Sequence, residues 1–358
     1  MLITSVLTAR AGRRGAVMLI DWITLRLKRD DAPHWAGWRR LETWGDRIAR
    51  FCPSTGEVRW TTDAWDSIRS DSHQVAMRCT GSTLWIQGSP ARCMGLGDAV
   101  FGSDGATSLF LCARAMVAFV GRMIHVDPMP EIRLFRLNRV DVTINYMMSN
   151  LASVRVALGE LRGVEGGRYR VSQVAGDTVY WSHLSSLRAG KAYAKGPHLR
   201  YLAKQGKGKN YDEDDLVLSD KLLRMELRLG RLFWRRMTIP WWSVPWSLLR
   251  AEHEQFFGRM LGDDGVECRD MGFVDRICEV APTVGQGRAA ARTWALIQSI
   301  GWQATKDSMP ERSFYRHLSI LKAAGLGDAD LSAGRVVSLR RKLVPVVVHS
   351  WDELRKAA

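Results

Sequence analysis

The chain has 358 residues, 46% of them apolar, with 52 Lys plus Arg against 37 Asp plus Glu and a formal charge of +15. That is enough for two or three domains with their own cores, and too apolar for a disordered chain. The cationic excess points to a polyanionic partner, because each phosphate neutralised releases counterions. Six cysteines without a C-x-x-C pair argue against a zinc site and a disulfide scaffold, and fit reduced thiols in a cytosol.

In chain order, residues 1–17 read as an extension outside the fold. Arg13 and Arg14 follow the short apolar run instead of preceding it, so a signal peptide is not indicated. Met18 opens the alternating stretch Met18-Leu-Ile-Asp-Trp-Ile-Thr-Leu-Arg-Leu, which predicts a first strand. Further strands are predicted over 74–80, 83–87, 132–146, 178–182, 186–194 and 221–229. Helical periodicity covers 104–121, 151–162, 246–261, 287–300 and 310–324. The longest apolar run, near 106–120, is broken by Arg114 and reads as a buried helix, so no membrane span is expected. Strands dominate up to about residue 230 and helices after it, which predicts an α+β domain followed by a mostly helical one. The boundary is placed at 239/240, with Pro-Trp-Trp-Ser-Val-Pro (240–245) as the joint. The polar stretch 203–215 reads as a mobile surface loop.

Three places suggest chemistry. Residues 186–195, Ser-Leu-Arg-Ala-Gly-Lys-Ala-Tyr-Ala-Lys, read as a strand ending at Tyr193 with Lys195 two positions on. Seven cations and no acid lie between Val179 and Tyr211: Arg188, Lys191, Lys195, Arg200, Lys204, Lys207 and Lys209. A phenol has a pKa of about 10 in water. Cations beside it favour the phenolate and attract a phosphate. The competing reading is a strand-end tyrosine among surface lysines. Asp141, in Asn138-Arg-Val-Asp-Val-Thr, and Glu226, in Leu223-Arg-Met-Glu, alternate through strand patterns. They read either as ligands for Mg²⁺ or Mn²⁺ or as structural partners of Arg139 and Arg224.

These residues, in order, resemble the replication initiators of filamentous phages and related plasmids, the gene II/X group. The likeness runs from about Met18 to Val348. It rests on the opening Ile-Asp-Trp-Ile-Thr-Leu-Arg-Leu; on Gly88-Ser-Pro-Ala-Arg followed by Val100-Phe-Gly-Ser-Asp; on Asn138-Arg-Val-Asp-Val-Thr; on Thr178-Val-Tyr-Trp followed by Lys191-Ala-Tyr-Ala-Lys; on Leu223-Arg-Met-Glu; and on Met309-Pro-Glu-Arg-Ser-Phe-Tyr-Arg. The resemblance implies an antiparallel-sheet, nickase-like (HUH-related) domain. It implies Tyr193 as nicking nucleophile on a helix beside the sheet, Lys195 as its companion, and Asp141 and Glu226 on a divalent cation, Mg²⁺ or Mn²⁺. It further implies a 5′-phosphotyrosyl intermediate, double- and single-stranded origin DNA as partner, a host helicase and polymerase, and a bacterial cytoplasm. The sequence departs from that pattern in lacking any H-x-H. His198 also stands where a glutamate is common, which makes it a candidate metal ligand. Gly97-Asp98-Ala99 stands where Gly-His-Asn is common.

Arg188, Lys191, Arg200 and Lys204 are expected to meet DNA near the nucleophile. In the helical half, Arg312, Arg316 and Lys322 lie on the 310–324 helix, with Ser308 as a candidate cap. Together with 287–300 this helix reads either as a helix-turn-helix-like grip on duplex DNA or as a structural cap. Arg340 and Arg341 extend the basic surface as a strand or wing. Trp22, Trp85 and Trp181 read as core. Trp35, Trp38 and Trp44 read as base-stacking or loop-covering residues, and Tyr201 as an aromatic contact or a second acceptor. Two rival functions share these features: a non-catalytic DNA-binding regulator, and a relaxase or transposase of the same chemical class. No P-loop is present, so unwinding falls to a partner. The sequence sets no oligomeric state.

Overall fold

The computed structural model describes residues 19–69, 74–94, 97–98, 100–103, 108–162, 171, 176–205, 211–261, 272–328, 331 and 346–357. The extension 1–17 and the basic pair Arg340 and Arg341 lie outside them.

Strand β1 (Leu19–Lys28) has one dry face: Ile23, Leu25 and Leu27 are fully buried, while Trp22 and Arg26 are only partly covered. Helix α1 (Gly37–Glu42) and the hairpin of β2 (Arg47–Phe51) and β3 (Val58–Asp63) follow. Next come β4 (Asp66–Arg69), β5 (Gln74–Thr80), β6 (Thr83–Gly88), α2 (Ala91–Met94), β7 (Gly97–Asp98), β8 (Gly102–Ser103) and α3 (Leu109–Met123). The long β9 (Arg136–Met147), α4 (Leu151–Arg162), β10 (Thr178–Trp181) and β11 (Arg188–Ala194) lead into α5 (Lys195–Lys204) and α6 (Glu213–Ser219). Strand β12 (Leu222–Leu229), α7 (Arg231–Arg236) and α8 (Trp246–Leu261) complete this part. Helices α9 (Gly272–Val280), α10 (Val284–Ile300), α11 (Trp302–Asp307) and α12 (Glu311–Ala323) follow, then β13 (Val346–Val347) and α13 (Trp351–Ala357).

The main sheet runs in the order β10-β11-β12-β9-β1-β6-β5-β4, with β13 paired to the end of β9. Every pairing in it is antiparallel. Its dry face carries Ile23, Leu25, Met77, Ile86, Val140, Val142, Met225 and Leu227. These share one core with α3 (Met116, Val120), α4 (Val154, Leu158) and α8 (Leu249, Phe257). Fully burying one such side chain contributes about 1.5–3 kcal/mol.

The opposite face is polar. Directly paired residues run across it: Tyr193 with Arg224, Glu226 with Thr143, Arg228 with Asp141, Asp141 with Trp22, Thr24 with Gln87, Arg26 with Trp85, and Trp85 with Arg78. Trp22 and Trp85 therefore stand on this wet face. Only Trp181 of the three tryptophans expected in the core is fully buried, since the other two occupy the polar parity of their strands. Trp38 is buried and Trp35 packs edge-on against it, with its indole N–H donating to the Pro128 carbonyl, so this pair covers a loop.

Helices α9, α10 and α12 form a second core around Phe273, Ile277, Trp294, Ile297, Phe314 and Leu321. Trp241, Val244 and the apolar face of α8 belong to the core of the sheet, and Trp241 donates its indole N–H to the Phe135 carbonyl at 2.8 Å. The predicted strands and long helices are present. The predicted strand over 132–146 starts at Arg136, after a 3-10 turn over Ile132–Leu134. The stretch 203–215 is polar enough to suggest a loop throughout, yet α6 begins at Glu213 because Asp212 caps it, accepting from the Asp215 amide. Ser308 does not cap α12: Pro310 precedes that helix, and Ser308 instead ends α11, which fills the connection from α10.

Helix α5 closes on the turn before β12. A Cβ at Gly196 would stand 2.8 Å from the Asp220 backbone nitrogen. The Gly196→Ala variant should lose about 1–3 kcal/mol of stability by overpacking against backbone, measured as a lower urea midpoint with unchanged slope.

Candidate functional site

The site grows from the ends of three strands. Alternation on β11 turns Lys191 and Tyr193 to the wet face, and alternation on β12 does the same for Arg224, Glu226 and Arg228. On β1 the pairing with β9 slips between Ile20 and Trp22, which leaves Asp21 in a bulge beside Arg224.

Arg224 is fully buried and forms ion pairs with Asp21 at 2.6 Å and Glu226 at 3.0 Å, while its guanidinium also donates to the Val100 carbonyl. The Tyr193 hydroxyl donates to Glu226 Oε1 at 2.7 Å. Lys191 Nζ stands 3.9 Å from Glu226 Oε2 and 3.9 Å from the Tyr193 ring centre. Lys195 Nζ lies 5.7 Å from the same ring, and the His198 ring meets it edge-on at 5.0 Å. Tyr193, Lys195, Glu226 and His198 are thus brought together.

The electrostatics follow from burial and neighbours. Burial, then Glu226, pushes the Tyr193 phenol well above its ordinary value. Burial pushes Glu226 up, but Lys191, Arg224, the Tyr193 hydrogen bond and Lys195 outweigh it and hold the carboxyl at about 2. Burial, then Arg224, brings Lys195 down to about 7. Burial, then Lys195 and Lys191, brings His198 down to about 3, so its ring is neutral, with Nδ1 buried and unbonded. The phenol is therefore held neutral by a charged carboxylate, with three cations around them.

Asp141 sits apart. It is buried, accepts from Arg139 Nε at 2.8 Å, and is pushed up to about 6 by burial against the pull of that arginine. The structural pairing of each acid with its arginine, one of the two alternatives open in the sequence, is what the fold contains. Among the described residues no three His, Cys, Asp or Glu side chains converge as metal ligands. The neutral His198 ring has suitable donor chemistry, but Lys191, Lys195 and Arg224 crowd it, and a divalent cation would meet their repulsion. In this arrangement the donor set does not fit Mg²⁺ or Mn²⁺, and no catalytic step here rests on one. Tyr193 itself lies on strand β11, two residues before α5 and not on a helix as the resemblance implied.

The candidate DNA contacts divide. Lys191 is on the wet face and Lys204 is exposed at the end of α5. Arg188 is committed to Glu252 of α8 at 2.7 Å and stacks on Phe233. Arg200 is held by Asp220 at 3.0 Å and by Glu213 at 3.8 Å. On α12, Arg312 and Arg316 are exposed, and Lys322 pairs with Asp328. Tyr201 is 60% exposed on α5. Sequence reasoning missed Asp21, Arg26, Trp65 and Arg78. Strict alternation around Ile23, Leu25 and Leu27 is the signal that would have placed Arg26 with Trp22. Nothing local marks the bulge that frees Asp21.

The sequence over residues 19–249 matches the family model for the N-terminal region of a phage replication-associated protein, the gene II protein. No curated protein matches the chain. Among solved structures it is similar to the rolling circle replication initiator protein from Geobacillus stearothermophilus, at 11% identity and a TM-score of 0.30, over 66% of this chain and 84% of that one. That likeness is too distant to carry an argument. The match over residues 19–249 spans well over half of the chain and contains every residue of the tyrosine cluster, and on that ground the chain belongs to the gene II family of phage replication-associated proteins.

Proposed function

We propose that this protein nicks and rejoins one strand of a replication origin, with Tyr193 as nucleophile. The observation that carries this reading is the 2.7 Å hydrogen bond from the Tyr193 hydroxyl to Glu226, set among Lys191, Lys195 and Arg224. A nucleophile, a proton acceptor and cations for phosphoryl oxygens are the parts such a transfer needs.

At rest the phenol is covered, at 2% exposure, with the Lys191 side chain over its ring. An incoming phosphate draws Lys191 towards itself, which uncovers the ring and takes a cation from Glu226. The carboxylate becomes more basic as that cation leaves. Tyr193 oxygen then attacks phosphorus, its proton passes to Glu226, and the bond to the 3′ oxygen breaks. Lys195, charged below about 7, gives that oxygen a proton. The product is a 5′-phosphotyrosyl link and a free 3′-OH, a primer for a host polymerase behind a host helicase. The link keeps the phosphodiester's energy, so a later 3′-OH can reverse the step and close a circle. Helices α9 to α12, with Arg312 and Arg316 outward, form a separate unit that grips duplex origin DNA in this reading. The greater exposure of Tyr201 favours a second reading, in which it accepts the strand in the joining step.

Supercoiled origin plasmid, incubated with Mg²⁺ or Mn²⁺, should yield a nicked circle with protein on the 5′ end, and peptide mapping should place the adduct on Tyr193. Tyr193→Phe and Glu226→Gln should bind DNA but nick at least about 10² times more slowly. Normal nicking by Tyr193→Phe, or an adduct confined to Tyr201, overturns the assignment; binding without any adduct in the parent protein supports a regulator instead.

A pH series is a second test. Since Lys195 loses its proton above about 7, kcat/KM for cleavage should fall tenfold per pH unit beyond that point. Lys195→Arg, which stays charged, should flatten the profile.

A further inference from the structure

Far from Tyr193 on the same sheet, a cavity of about 660 Å³ opens where β1 ends and β9 begins, walled by Arg26, Arg133, Arg136, Arg231 and Arg235, with Asp31 as the only carboxylate in its wall among the described residues. Asp31 is spent on Arg136 at 3.0 Å. Arg133 faces Glu131, outside the wall, at 3.0 Å. Arg231 and Arg235 stand one helical turn apart on α7, exposed, with no carboxylate within ion-pair distance among the described residues. Arg26 Nε is buried and bonded to nothing. Burial, then Arg136, Arg231 and Arg235, lowers the Arg26 pKa, the mark of cations that repel one another.

Arg26 also belongs to a row across the wet face. Its guanidinium lies 5.9 Å from the Trp85 ring; Arg78 lies between Trp85 at 5.7 Å and Trp65 at 4.7 Å; Arg139 lies 5.8 Å from Trp22. Trp22 and Trp85 are partly exposed and Trp65 is exposed. Interleaved aromatics and arginines suit unpaired bases, which stack on rings while their phosphates meet the cations. A base pair inside a duplex cannot offer its face in that way. From Asp21, in the tyrosine cluster, to Arg26 is five residues of strand, about 16 Å.

We propose that the arginine cavity beside Arg26 is a second phosphate-binding site, which grips the backbone of single-stranded DNA leading along the Trp22, Trp85 and Trp65 row from the Tyr193 cluster. This rests on the strand-transfer reading for direction only, because the grip itself needs no cleavage. It holds the strand at a fixed distance from the nucleophile and keeps the cut ends in register for rejoining.

The test uses the full chain carrying Tyr193→Phe, which removes cutting, and a labelled oligo-dT followed by fluorescence anisotropy over a salt series. Adding Arg231→Gln and Arg235→Gln, both surface changes, should lower affinity on the order of tenfold at low salt and reduce the slope of log K against log salt by about 1.4, for two phosphates. Trp85→Ala should weaken binding several-fold with the slope unchanged. Unchanged affinity and slope in the double arginine variant overturn the proposal. A competition arm separates a free anion from a DNA backbone: if tripolyphosphate binds through the two arginines yet fails to displace oligo-dT, the cavity serves small anions and the proposal falls. Failure of the parent protein to nick its plasmid would sink the catalytic reading alone, since this result is read without cleavage.

Discussion

A guanidinium with no water around it governs the site. Arg224 is fully buried, and such a charge is tolerable only when it is neutralised and its donors are used. Asp21 and Glu226 supply two carboxylates from β1 and β12, and Val100 supplies a carbonyl from the segment between β7 and β8. Removing one partner from a buried pair costs about 3–5 kcal/mol. Three distant parts of the chain are fixed to one point as a result, and the orientation of Glu226 is settled before any substrate arrives.

Tyr193 inherits its position from that arrangement. Glu226 Oε1 serves both Arg224 and the phenol, so the arginine orients the carboxylate and the carboxylate orients the hydroxyl. The charges leave the phenol neutral beside a carboxylate held well below its ordinary value, with a lysine over the ring. Under the proposed strand transfer, a phosphate brought beside Lys191 would compensate part of this positive charge and change the partners of Glu226.

Much of this was legible in the sequence and some was not. Strands β1, β5, β6, β10, β11 and β12 announce themselves by alternation and β-branched residues, and α4 and α8 by their periods. Tyr193 and Glu226 sit in short patterns on those strands, and Lys195 follows Tyr193 by two residues at the start of α5, so all three could be singled out. The Asp21 bulge could not, since a slip in register is a property of two paired strands and leaves no mark on either alone. Residues Trp22 and Trp85 were misplaced because size and apolarity suggest a core, while parity within the strand decides the face. The pairing of Asp141 with Arg139 and of Glu226 with Arg224 could not be chosen over a ligand role from the sequence, because no spacing rule specifies the directions of those arginines.

The main core of the sheet lies on one side, and a smaller cluster of Leu199, Leu222 and Leu354 brings α5 and α13 to the Tyr193 end of the other. The sheet's stability is lodged in the layer formed by Ile23, Val142, Met225 and the helices α3, α4 and α8. Outer positions of the other layer, such as Trp85, Arg78 and Trp65, carry little of that burden. Those positions are free to drift during divergence, so descendants of one ancestral scaffold can acquire new nucleic-acid preferences without first sacrificing the ability to fold.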